Sequence, residues 1–165
     1  MVSLVRYNLS IQKMVCRLHD MLVAVDGSRH SEKIVDVACA FAKKLSASII
    51  LMYVSSYPDL INEYIEMGGR NPSPRATQYV ERAEEVTAKF SEKILIEGIK
   101  CRVVLETGDP AEKIVTQAAN DKADLIIVGL KGLHGVDRIR SLGSVARKVI
   151  ENSSCPVLVA RGEDL

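Results

Sequence analysis

Five short runs rich in aliphatic residues, separated by stretches of helical period, leave this chain few folds to adopt. The runs cover residues 21–25, 48–54, 100–106, 124–128 and 156–160. Between the first two, apolar side chains recur at 34, 37, 38, 41, 42 and 45, the 3.6-residue period of an amphipathic helix. Residues 74–97 read as a long helix carrying Ala76, Tyr79, Val80, Ala83, Val86, Phe90 and Ile94 on one side, ended by Gly98. Gly108-Asp109-Pro110 opens another through about residue 120, with Pro110 at the first helical position, where its missing N–H costs nothing. A last helix starts near Ser144. Strands that alternate with helices and are apolar on both faces predict a parallel sheet covered on both sides. At 165 residues the chain suits one such α/β domain, over 21–165, after an N-terminal extension over 1–20.

Charge narrows the function. Lys and Arg number 22 against 21 Asp and Glu, a formal charge of +1, which gives no electrostatic footprint for nucleic acid or an anionic membrane. Aromatic residues at 4%, with no Trp, argue against a base-stacking platform. No apolar run approaches the ~20 residues of a membrane span. Arg6, Lys13 and Arg17 interrupt the apolar residues of the first twenty, unlike a secretory leader. Cys16, Cys39, Cys101 and Cys155 form no CxxC pair, and buried free thiols are expected of them. A cytoplasmic protein is expected.

In a parallel sheet, ligands bind beyond the carboxyl ends of the strands, where the strand order reverses. Two segments follow strands there. Asp26-Gly27-Ser28 succeeds the first, and Asp26 serves either an Asx-turn or a ligand, with Ser28 or Ser31 then capping the next helix. After the fourth strand, Gly129, Gly132, Gly135 and Gly143 fall within fifteen residues, leading to Ser144. A helix beginning there presents unpaired N–H groups and the positive end of its dipole, a setting for phosphate. Ser144 would cap that helix or donate its hydroxyl to a phosphate oxygen; the bland alternative is a loop whose glycines only make turns.

The residues Leu-Val-Ala-Val-Asp26-Gly-Ser, Gly108-Asp-Pro110, Ala-Asp-Leu-Ile-Ile-Val-Gly129, the Gly129-x-x-Gly132 … Gly143-Ser144 loop and Cys155-Pro-Val-Leu-Val159, in that order, resemble the universal stress protein family. The resemblance covers residues 21–161. It implies a single three-layer domain with a five-stranded parallel sheet, order 3-2-1-4-5, and helices on both faces. The loop pattern is that of the members that bind ATP. By the same resemblance Val128, Gly129, Gly132, Gly143, Ser144 and the Val145 N–H would hold ribose and phosphates of ATP, or of AMP or ADP. Ala24 and Asp26 would face the adenosine, and the Val54 backbone the adenine. Ten residues separate Gly132 from Gly143 where the family pattern has nine. A bulge at His134-Gly135 absorbs the extra residue, or the loop is displaced and binding weakens. Mg²⁺ would be held by the phosphates, without protein ligands.

Other nucleotide chemistries lack their motifs. There is no G-x-x-x-x-G-K-[ST], and no G-x-G-x-x-G after the first strand. No general base or carboxylate pair stands out beside the glycine loop, so a binding module with at most slow hydrolysis is expected. The resemblance also implies a homodimer through the strand at 156–160; a dimeric interaction protein without nucleotide is the competing reading, and the partner protein is unidentified. Residues 55–73 form a long connection, with a short helix expected over 61–67 above the binding face.

Overall fold

The computed structural model describes residues 18–68, 70–130 and 142–161. Its five strands are β1 (Asp20–Val25), β2 (Ser48–Ser55), β3 (Cys101–Thr107), β4 (Leu125–Gly129) and β5 (Val157–Ala160). The five helices among the described residues are α1 (Arg29–Leu45), α2 (Pro58–Glu66), α3 (Pro74–Ile96), α4 (Pro110–Asn120) and α5 (Ser144–Asn152). The sheet is parallel throughout, in the order β3-β2-β1-β4-β5. Chain order therefore reverses between β1 and β4.

Alternation along the strands divides the core in two. Met21, Val23, Val25, Ile49, Leu51, Leu125 and Ile127 face α1 and α3, meeting Ile34, Val35, Ala38, Phe90 and Ile94. Leu22, Ile50, Met52, Ile126 and Val128 face α4 and α5, meeting Ile114, Ala118, Ala146 and Val149. Burial on both faces explains why β1 and β4 are continuous apolar runs rather than alternating ones. The bottom of β1 is pinned by Asp124, whose Oδ2 accepts from the His19 and Asp20 N–H groups at 2.7 and 3.2 Å.

Several local expectations shift. The connection after β2 is more regular than its composition suggested: α2 starts at Pro58, earlier than 61, because proline sits comfortably in a first helical turn. It buries none of its residues and leans on α3, where Glu63 accepts from the N–H and hydroxyl of Ser73 at 2.7 and 3.1 Å. Cys39 is buried, but Cys101 and Cys155 are only half-buried. Burial pushes the Cys39 and Cys101 thiols up, so both stay protonated hydrophobes rather than nucleophiles. Cys16 lies outside the described residues.

Candidate functional site

At the carboxyl end of the sheet, β1 and β4 part company early. Their ladder ends at Val23 and Ile127. On the far side, β1 stays paired with β2 as far as Val25, and β4 with β5 as far as Gly129. The sheet therefore splits over the last two residues of each strand, at the point where strand order reverses. In parallel sheets this is the position of the ligand crevice.

The first wall is the turn after β1. Asp26 Oδ1 accepts from the Ser28 N–H and from the Ser31 hydroxyl, both at 2.9 Å, and the Asp26 N–H donates to Ser31 Oγ at 3.2 Å. Asp26 thus makes the Asx-turn, correcting the alternative in which Ser28 or Ser31 caps α1 and leaves the carboxylate unengaged. Ser28 occupies the N-cap position without a side-chain cap bond, and Ser31 is fully buried against Asp26. Gly27, at φ +73°, makes the turn possible, since that region excludes most side chains.

Arg82, which the sequence reading did not single out, fastens this turn from α3. Its Nη2 donates to the Gly27 carbonyl at 3.2 Å. Burial pushes the Tyr53 phenol up, while the nearby Arg82 guanidinium pulls it back. Tyr79, Arg82 and Val86 follow the i, i+3, i+7 spacing of one helix stripe. Tyr79 also meets Tyr57 in a tilted ring contact, with centroids 4.5 Å apart. The spacing was readable; which turn the stripe meets depends on how α3 crosses the sheet.

The second wall is the end of β4 and the start of α5. Leu130 N–H donates to the Ala160 carbonyl, and the Leu130 carbonyl accepts from the Gly143 N–H, both at 2.8 Å. Gly143 is the N-cap of α5 and Ser144 its first residue, with the Arg147 N–H donating to the Gly143 carbonyl at 3.0 Å. Ser144 is therefore exposed on the first turn rather than capping it. Having no side chain, Gly143 caps nothing, whereas α3 and α4 are capped by Ser73 and Asp109. At φ −62° its backbone suits any residue, so its freedom of conformation gives no reason for glycine there.

Ala24, Val54, Val128 and Val145 all converge on the α4/α5 face of the sheet. Asp26 and Gly129 stand at the ends of β1 and β4 beside them. Gly132 lies outside the described residues, as does the rest of the loop over 131–141. No group of three or more potential metal ligands occurs among the described residues.

Asp109 ties α5 to its neighbour. Its Oδ1 caps α4 through the Glu112 N–H at 3.0 Å, and its Oδ2 accepts from Lys148 of α5 at 3.0 Å. The Glu112 N–H, then the Lys148 ammonium, hold the Asp109 carboxyl below the usual carboxylate range. Because the native value is depressed, the stabilisation is complete above the unfolded pKa of ~3.9 and is lost as pH falls through the native value. Asp109→Ala is expected to lower stability by about 1 kcal/mol at pH 7, chiefly as a lost cap. In denaturant titrations the gap between parent and variant should close below about pH 3.9; a gap unchanged at lower pH would contradict this account.

A sequence model of the universal stress protein family matches residues 18–161. Universal stress protein YxiE of Bacillus subtilis is 32% identical over 152 residues, covering 86% of this chain and 97% of YxiE. Among solved structures, the hypothetical protein MJ0577, whose biochemical function was assigned from its structure, superposes with a TM-score of 0.74 at 25% identity, covering 90% of this chain and 99% of that one. A universal stress protein from Archaeoglobus fulgidus in complex with dAMP gives 0.62 at 23% identity, covering 86% and 96%.

Proposed function

The chain belongs to the universal stress protein family, and from that premise we propose that it binds an adenine nucleotide, ATP foremost, in the crevice between β1 and β4. The observation that carries the reading is the early end of the β1–β4 ladder directly beside the uncapped start of α5. Phosphates take the N–H groups of that first turn, where Gly143 allows close approach and the Ser144 hydroxyl adds a donor. Gly129 and Gly132 bring backbone near the ribose, on the wall formed by Val128 and Val145. The adenosine lies toward Ala24, the rigidly held Asp26 and the backbone of Val54. That a relative of the same fold was solved with dAMP supports the adenine class.

Mg²⁺ accompanies the nucleotide, held through its phosphates. The protein acts as a nucleotide-dependent regulatory or protective factor with little hydrolysis of its own, and pairs with a second copy through the edge of β5. Isothermal titration with Mg-ATP tests the reading. Micromolar-to-millimolar binding is expected in the parent, and at least about tenfold weaker binding, some 1.4 kcal/mol, in Gly143→Val/Ser144→Ala. Absence of binding to the nucleotide-free parent, or equal binding by the two, would overturn it and favour a nucleotide-independent dimer.

A further inference from the structure

The two edges of the sheet are not alike. β5 is four residues long, but β3 presents seven, Cys101–Thr107. At the two ends of β3 the Lys100 carbonyl accepts from the Ile49 N–H, and the Gly108 N–H donates to the Ser55 carbonyl. Even-numbered residues thus bond to β2, and the N–H and C=O groups of Val103 and Leu105 point outward. The same two residues are 41% and 51% exposed. They stand on the face that Cys101 shares with the α1/α3 core. At the end of α3, just before the chain turns into β3, Leu95 and Ile96 are 57% and 78% exposed. Sheet edges are ordinarily blunted by charge, proline or brevity. This one is long, apolar and unpartnered among the described residues.

We propose that residues 5–12 of this same chain occupy that edge as an additional strand, antiparallel to β3. The segment reads Val-Arg-Tyr-Asn-Leu-Ser-Ile-Gln, a strict alternation of apolar and polar residues, which is the pattern of a strand with one face buried. In pairing with β3, Val5, Tyr7, Leu9 and Ile11 extend the apolar face over Val103 and Leu105. Arg6, Asn8, Ser10 and Gln12 then share the other side with Arg102 and Glu106. The chain's path suits the match. Leu18 already packs on the α1/α3 core just below β1. From β1 to a position outside β3 is three strand spacings, about 14 Å, and the five residues 13–17 span up to about 17 Å when extended. A segment that leaves the base of β1 and climbs the edge of β3 runs antiparallel to it, an arrangement common at the margins of parallel sheets.

Amide hydrogen exchange in the full chain, resolved by NMR, tests the assignment without nucleotide. The outward N–H groups of Val103 and Leu105 should exchange at least tenfold more slowly in the parent than in Leu9→Asp/Ile11→Asp, at rates independent of protein concentration. A Leu9→Pro variant, which removes a single pairing N–H, should raise the same two rates. Equal rates in parent and variants would overturn the proposal. So would protection that disappears on dilution, since the strand would then belong to a second copy.

Discussion

Gly27→Val should destabilise the protein by about 2–5 kcal/mol and weaken nucleotide binding at least tenfold. The backbone contribution is the cost of holding an L-residue at φ +73°, roughly 1–2 kcal/mol and more for a β-branched one. The packing contribution follows from the space available. A Cβ at position 27 would lie 2.8 Å from Cγ2 of Val86 and 3.3 Å from Nη2 of Arg82. Overfilling a packed site of this kind costs about 1–3 kcal/mol. Relief requires moving α3 outward or swinging Arg82 off the Gly27 carbonyl. Either way the turn that orients Asp26 loses its outer support. Urea unfolding read beside titration with Mg-ATP measures both effects. A variant within 0.5 kcal/mol of the parent would mean that this turn is not packed as described.

Leu51→Ala should cost as much stability, about 2–5 kcal/mol, yet leave the affinity of the folded protein within roughly threefold of the parent. Leu51 is fully buried at the middle of β2, paired with Val23 on one side and Val103 on the other. Truncation leaves a cavity under α1 and α3 that the paired strands on both sides cannot close. For a chain of this size each kcal/mol lowers Tm by ~2–4 °C, so a fall of about 5–15 °C is expected in calorimetry. Leu51 faces α1 and α3, whereas Ala24, Val54, Val128 and Val145 pack on the α4/α5 face. The two variants thus separate stability from site geometry. Matched losses of affinity in both would tie binding to global stability instead.

The core strands were readable because their burial on both faces writes itself as unbroken aliphatic runs, as in residues 21–25. Helix α1 was equally plain from its period. Edge positions came only through the family's strand order, 3-2-1-4-5, because nothing local at Val103 and Leu105 marks a strand as outermost. Family resemblance brought Asp26, Gly129 and Gly143 to one end of the sheet, and the structure has them there. What Asp26 bonds to was undecidable from spacing. Three hydroxyl or carboxylate side chains, at 26, 28 and 31, compete for the same N–H groups. In the structure Asp26 takes the Ser28 N–H, in a turn whose Gly27 carbonyl is held from α3, fifty-five residues later. Of the two roles open to Ser144, cap or phosphate donor, the structure removes the cap. The preceding glycine already supplies the extended N-cap backbone, so the serine slides one place into the helix.

The hydrogen bond between the Leu130 carbonyl and the Gly143 N–H works as a tether. Twelve residues, 131–142, lie between its ends. Closing a loop of twelve rather than eleven costs only ~0.1 kcal/mol of chain entropy. An added residue is therefore cheap in chain entropy, while the tether sets where α5 starts relative to β4. The end of β4 and the start of α5 are thereby held as one unit by a bond that involves no side chain, so substitutions between its ends leave it in place.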